Sequence, residues 1–207
     1  MPSRIAGAEH ASGESKLRPR SADPSWAHVS GWTQLSGSFK TVSCVILSYD
    51  DALGLSKLLP TLSDTLTECG YPWEVVIVNA GDDASTNQVL KGWSEIPGFW
   101  TVPLTRDAGP AVTLAVGLEA ARGDAVILLD ARLADVAGLV AQMIMRWEGG
   151  AELVYAVRDA AGRLIELAGW DAATVDERMN SPQWRGLPQG SSDLALMDRR
   201  VIKLLLA

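Results

Sequence analysis

The sequence predicts an α/β domain built on a mainly parallel sheet with helices on both faces. Three observations predict it. Short apolar runs alternate with stretches of helical periodicity from residue 40 onward. The first runs are rich in β-branched residues with no polar alternation, as in strands buried on both faces. Turn and cap residues stand between the two kinds of segment.

The elements follow in order. Val42 to Leu47 is the first strand. Asp50 is placed to cap a helix in which Leu55, Leu58, Leu59, Leu62 and Leu66 share one face, and Cys69-Gly70-Tyr71-Pro72 stops it. Glu74 to Val78 is the second strand, followed by the loop Gly81-Asp82-Asp83 and a helix to about Trp93. Phe99 to Leu104 is a third strand, Ala111 to Ala121 a helix, and Ala125 to Leu129 a fourth strand ending at Asp130. Val136, Leu139, Val140, Met143, Ile144 and Trp147 mark an amphipathic helix, and Leu153 to Val157 is a fifth strand. Residues 159–192 read as irregular, Leu194 to Met197 as a short strand, and Asp198 as the start of a last helix. Residues 1–38, rich in Ser, Gly, Pro and Ala, read as a flexible arm before a domain over 39–207.

Bulk properties narrow the function. The 207 residues suffice for one domain with a sizeable core, and 47% hydrophobic with 21% charged residues is ordinary globular composition. A net charge of −7 argues against nucleic acid as a partner, which needs a basic face. No apolar stretch approaches the roughly 20 residues that span a bilayer. The N-terminus lacks the apolar core of a secretory signal. Cys44 and Cys69, without CxxC or His spacing, read as reduced thiols, so the expected location is cytoplasmic. Neither His10 nor His28 is placed for catalysis.

In open α/β sheets ligands bind beyond the carboxyl ends of the strands. After the first strand stands Ser48-Tyr49-Asp50-Asp51, with no GxGxxG and no GxxxxGK[ST], so dinucleotide and triphosphate chemistry lose their signature. The residues that are there form a series. Val45-Ile46-Leu47-Ser48-Tyr49-Asp50-Asp51, Val75 to Asp82, Thr105-Arg106-Asp107-Ala108-Gly109, Gly117 to Asp124, Leu128 to Asp135, Ala156-Val157-Arg158 and Ser192 to Val201 resemble, in order and spacing, the motifs of family 2 glycosyltransferases. The likeness is to the dolichyl-phosphate mannose synthase and polyprenyl-phosphate glycosyltransferase branch. It implies a GT-A fold and transfer of a sugar from a nucleotide-diphosphate sugar to a polyprenyl phosphate or other acceptor.

The resemblance also assigns positions. Tyr49 and Asp51 fall in the opening donor motif. Asn79-Ala80 stands where the family has two aspartates, one of them reading the nucleobase; Asn79 can still bond a base, Ala80 cannot. Asp82 and Asp83 read as caps of the following helix. The DxD that holds Mg²⁺ or Mn²⁺ on the diphosphate is Asp130-Ala131-Arg132, so Asp130 is a doubtful metal ligand and Arg132 disfavours the ion. Arg132 either clamps the diphosphate itself or pairs with Asp130 or Asp135, the pairing being favoured. Arg106 and Arg158 are candidate anion contacts, and Pro110 replaces a polar residue near the phosphates. Asp193 is a candidate general base, while Leu194 and Ala195 replace the aromatic and the cation that follow it in the family. Arg199 and Arg200 read as solvent-facing. Trp170 and Trp184 either stack on a sugar or pack a long loop. Relatives usually continue beyond the last helix, so a membrane-embedded acceptor is the less expected one.

Two functions follow. One is an active transferase, metal-independent, with Arg132, Arg106 and Arg158 replacing the cation and Asp130 and Asp193 serving catalysis. The other is a catalytically silent binding or regulatory partner in a homo- or hetero-oligomer.

Overall fold

The computed structural model describes residues 40–105, 108–133, 136–183, 186–188 and 193–206. The predicted arm and its Trp26 and Trp32, together with Arg106, Asp107, Asp135, Trp184 and Ser192, lie outside the described residues.

The chain runs β1 (Val42–Ser48), α1 (Ala52–Glu68), β2 (Trp73–Asn79), α2 (Ala84–Ser94), β3 (Phe99–Pro103), α3 (Pro110–Ala120), β4 (Ala125–Asp130), α4 (Ala137–Glu148), β5 (Ala151–Arg158), β6 (Leu164–Asp171), α5 (Ala172–Met179), β7 (Leu194–Asp198) and α6 (Arg199–Leu205). The strands form one seven-stranded sheet in the order β3-β2-β1-β4-β7-β5-β6. β1 pairs in parallel with β2 and β4, and β2 with β3. β7 enters antiparallel between β4 and β5, and β6 is antiparallel to β5. β5 therefore runs with β1–β4, and the sheet is mainly parallel.

Helices cover both faces, as the apolar runs require. On one face α1, α2 and α4 pack Leu55, Leu59, Leu90, Val140 and Met143 against Cys44, Ile46, Ile77 and Ile127. On the other, α3, α5 and α6 bring Leu118, Val175 and Val201 onto Val45, Val78, Val126 and Leu128. Gly117 lets α3 sit close: a Cβ there would lie 2.5 Å from Val45 Cγ1.

The structure corrects four sequence expectations. The cap of α1 is Asp51, whose Oδ1 accepts the Gly54 amide at 2.9 Å, because Asp50 takes a left-handed backbone (φ 59°) that turns the chain before the helix. Residues 159–192 are not wholly irregular: they contain β6 and α5. An edge strand lacking strict alternation and a helix with one fully buried residue, Val175, leave little periodic signal. Arg199 is not solvent-facing; its guanidinium turns inward and donates to the carbonyls of Gly123 and Ala121 at 2.5 and 2.8 Å. Arg200 is likewise engaged, with Glu152 and Asp176.

Among the described residues no helix is long and apolar enough to cross a membrane.

Candidate functional site

Register brings the carboxyl ends of the central strands level. Leu47 is opposite Asp130, and Ser48 is opposite Asn79. Asp193 precedes β7, where Leu194 pairs with Leu129, so its carbonyl accepts the Asp130 amide at 3.1 Å. Arg158 ends β5 on the far side of β7. Tyr49, Asp51, Asn79, Asp130, Arg132, Arg158 and Asp193 thus share one end of the sheet.

Two glycines lock the loops there. A Cβ on Gly54 would lie 2.5 Å from the Ala131 carbonyl, and one on Gly81 would lie 2.0 Å from Asp50 Oδ1. The start of α1 therefore abuts the turn after β4, and the loop after β2 abuts that after β1. Asp50 Oδ1 also accepts the Asp83 amide at 2.8 Å. Asp83 caps α2 through the Thr86 amide at 2.8 Å, and these bonds, that from the Ser85 hydroxyl foremost, hold its carboxyl below the usual range.

Charges at this end are paired side by side. Arg132 grips Asp130 with Nε at 2.9 Å and Nη2 at 2.6 Å, and its own amide reaches Asp130 Oδ1 at 2.9 Å. The Asp130 side chain is 16% exposed and that of Arg132 is 75% exposed. The side-chain hydrogen bond from Arg132 is the chief cause that holds the Asp130 carboxyl low. Reciprocally, Asp130 raises Arg132, with smaller help from the charges of Asp51 and Asp193. Arg158 donates from Nη2 to Asp193 Oδ2 at 2.8 Å and from Nη1 to the Gly162 carbonyl at 3.0 Å. Its Nε is buried without a partner among the described residues.

Asn79 is turned inward. Its Nδ2 donates to Gly81 O at 3.3 Å and to Asn87 Oδ1 at 3.2 Å, while its Oδ1 accepts the Gly81 amide at 3.3 Å. The amide expected to meet a base is thus already bonded within the chain. Tyr49 is exposed at the end of β1. Trp170 stands edge-on to Tyr155 at 5.9 Å, which matches the packing alternative.

Two hollows lie at the start of α1, which both share at Asp51 and Leu53. One, of about 540 Å³, is lined by Asp50, Asp51, Ala52, Leu53, Asp82, Asp83 and Ser85. The other, of about 470 Å³, lies along α1 and the turn after β4, with Leu53, Gly54, Lys57, Ala131 and Arg132 in its wall. The described residues do not fit a divalent ion. Asp130 has both oxygens on Arg132, and no group of three or more His, Cys, Asp or Glu converges as a cation site among the described residues.

Comparisons with known proteins identify the family and the fold. Among curated proteins, an uncharacterised glycosyltransferase of Synechocystis is 28% identical over 162 residues, covering 78% of this chain and 51% of its own. The bactoprenol glucosyl transferase of Shigella phage SfV is 26% identical over 167 residues, covering 78% and 53%. The chain spans about half the length of these relatives. Among solved structures, a mannosyltransferase from Pyrobaculum calidifontis in complex with GDP-Man and Mn²⁺ superposes with a TM-score of 0.56 at 18% identity, over 87% of this chain and 51% of that one. That likeness shows the fold, which is GT-A. Residues 43–205 match the family model for glycosyl transferase family 2, and the chain belongs to that family.

Proposed function

We propose that the carboxyl end of this sheet binds a nucleotide-diphosphate sugar and passes the sugar to an acceptor, a polyprenyl phosphate in the simplest case. The observation that carries this reading is the convergence of Tyr49, Asp51, Asp130, Arg132, Arg158 and Asp193 on one rigid rim beside two hollows. Family membership and the bactoprenol transferase among the relatives support the substrate class.

Each residue has a chemical task. Asp193 keeps Oδ1 outside its pair with Arg158 and is the base that takes the proton of a hydroxyl acceptor or of a still-protonated phosphate, while an ionised phosphate attacks directly. As the acceptor oxygen bonds to the anomeric carbon, the bond from that carbon to the donor phosphate breaks and the diphosphate leaves with the electron pair. Arg158, holding Asp193, and Arg132 stabilise the charge that develops. Asn79 is occupied internally, so the base is read by other groups in the larger hollow.

One observation favours a second reading. Asn79, Asp130 and Asp193 all have partners inside the chain, as they would in a silent domain that regulates another transferase. Thermal-shift titration with UDP, GDP, UDP-glucose and GDP-mannose separates the two. A stabilisation by a diphosphate nucleotide and its sugar supports donor binding; none with any of the four removes it.

A further inference from the structure

We infer that Arg132 is a tethered cation: its guanidinium, anchored on Asp130, holds the donor diphosphate in place of a divalent ion. The inference rests on the donor-binding reading above and specifies its chemistry.

The first argument is the geometry of the fork. Arg132 meets Asp130 side-on, with Nε at 2.9 Å and Nη2 at 2.6 Å. That mode leaves both hydrogens of Nη1 and the outer hydrogen of Nη2 for a second anion. Nη1 has no hydrogen-bond partner among the described residues, and the side chain is 75% exposed. The group is placed to meet a carboxylate and a phosphate at once, and so to supply the positive charge that a divalent ion would supply there.

The second argument is charge. Two carboxylates loaded with a divalent ion sum to zero. Asp130 paired with Arg132 also sums to zero. Measured against the two-carboxylate motif that the resemblance implies, a cation in place of one anion gives the diphosphate a rim of the same total charge as the metal-loaded motif.

The third argument is position. The Arg132 amide also bonds Asp130 Oδ1 at 2.9 Å, so the backbone holds the turn that carries the guanidinium. The charges of Asp51, the cap of α1, and of Asp193, just before β7, bear on the same cation, and α1 is locked against the turn at Gly54. A divalent ion at Asp130 would have to displace a cation that meets both oxygens of that carboxylate.

Two readouts test this on the whole chain: calorimetric titration of UDP and GDP, in EDTA and in Mn²⁺, and Mn²⁺ titration followed by electron paramagnetic resonance without nucleotide. Wild type, Arg132→Ala, Arg132→Lys and Arg132→Asp are compared; the side chain is exposed, so all four fold. Wild type is expected to bind nucleotide equally in EDTA and in Mn²⁺, and to leave Mn²⁺ free. Arg132→Ala loses roughly tenfold or more in affinity in EDTA, and Arg132→Lys falls between, keeping charge without the fork. Arg132→Asp captures Mn²⁺ and binds nucleotide only with it. Nucleotide binding by wild type that requires Mn²⁺, or Arg132→Ala equal to wild type in EDTA, overturns the inference. So does Mn²⁺ bound by wild type as tightly as by Arg132→Asp. If wild type binds no nucleotide but the Mn²⁺ contrast holds, the donor-binding reading fails while Arg132 stands as the occupant of the metal position.

Discussion

The two ends of the sheet both carry charged side chains and use them differently. At the amino end, Glu74 is 5% exposed and accepts from Ser43 Oγ at 2.6 Å, the Arg122 amide at 2.6 Å and Trp100 Nε1 at 3.2 Å. Ser43 Oγ accepts in turn from the Gly123 amide at 2.7 Å, and Arg199 satisfies the Gly123 and Ala121 carbonyls. The hollow there, about 30 Å³, has room for water and little else. At the carboxyl end the pairs Arg132–Asp130 and Arg158–Asp193 are partly or largely exposed, and Arg132 lines a hollow of about 470 Å³. A buried network that satisfies the backbone is structural. Exposed pairs beside space are available to a ligand.

Mutation should separate these roles, with the largest effect at the amino end. Glu74→Ala orphans Ser43, Arg122 and Trp100 donors together, and urea unfolding should show a loss of about 3 kcal/mol or more. Gly117→Ala comes next. Its Cβ would meet Val45 at 2.5 Å and Val78 at 3.1 Å, so α3 must lift from the sheet at a cost of about 1–3 kcal/mol, read as a lower urea midpoint. Arg132→Ala should be nearly silent by the same measurement, under about 1 kcal/mol, because the guanidinium is exposed and its pair with Asp130 is screened. Should Arg132→Ala cost more than Gly117→Ala, the division between the two ends is wrong.

The acid limb of stability sharpens the contrast. The folded Asp130 carboxyl lies below its ordinary value of about 3.9, so its pair contributes above that pH and is lost as pH falls through the lowered value. At neutral pH the contribution is complete. Wild type and Arg132→Ala should therefore differ slightly at pH 7 and converge in strong acid; a gap that widens on acidification would contradict the assignment.

How much of this was legible in the sequence follows from burial. β1 and β4 were legible because strands buried on both faces read as mainly apolar runs, and helix faces such as Leu55, Leu59 and Leu62 keep a clean period. β6 was not, because an edge strand with Ile165 and Glu166 exposed side by side has neither signature. The cap of α1 was misplaced by one residue because two adjacent aspartates differ only in backbone angle. Topology pointed to the strand ends, and the resemblance named Tyr49, Asp51, Asp130 and Arg158 among the residues that stand there. The partner of Asn79 is a side chain one turn into α2, which no strand-end rule supplies. The Glu74 network was missed although a carboxylate inside an apolar strand was a visible signal.

The central claim, that nucleotide binds at the carboxyl end and not at the amino end, is tested most directly by mapping amide NMR shifts of the ¹⁵N-labelled chain on addition of UDP and GDP. The account predicts perturbations at Tyr49, Asp51, Gly81, Asp130, Arg132 and Asp193, with Thr41, Glu74 and Gly123 unmoved. Shifts centred on Thr41, Glu74 and Gly123, or none at the carboxyl end with either nucleotide, would contradict it.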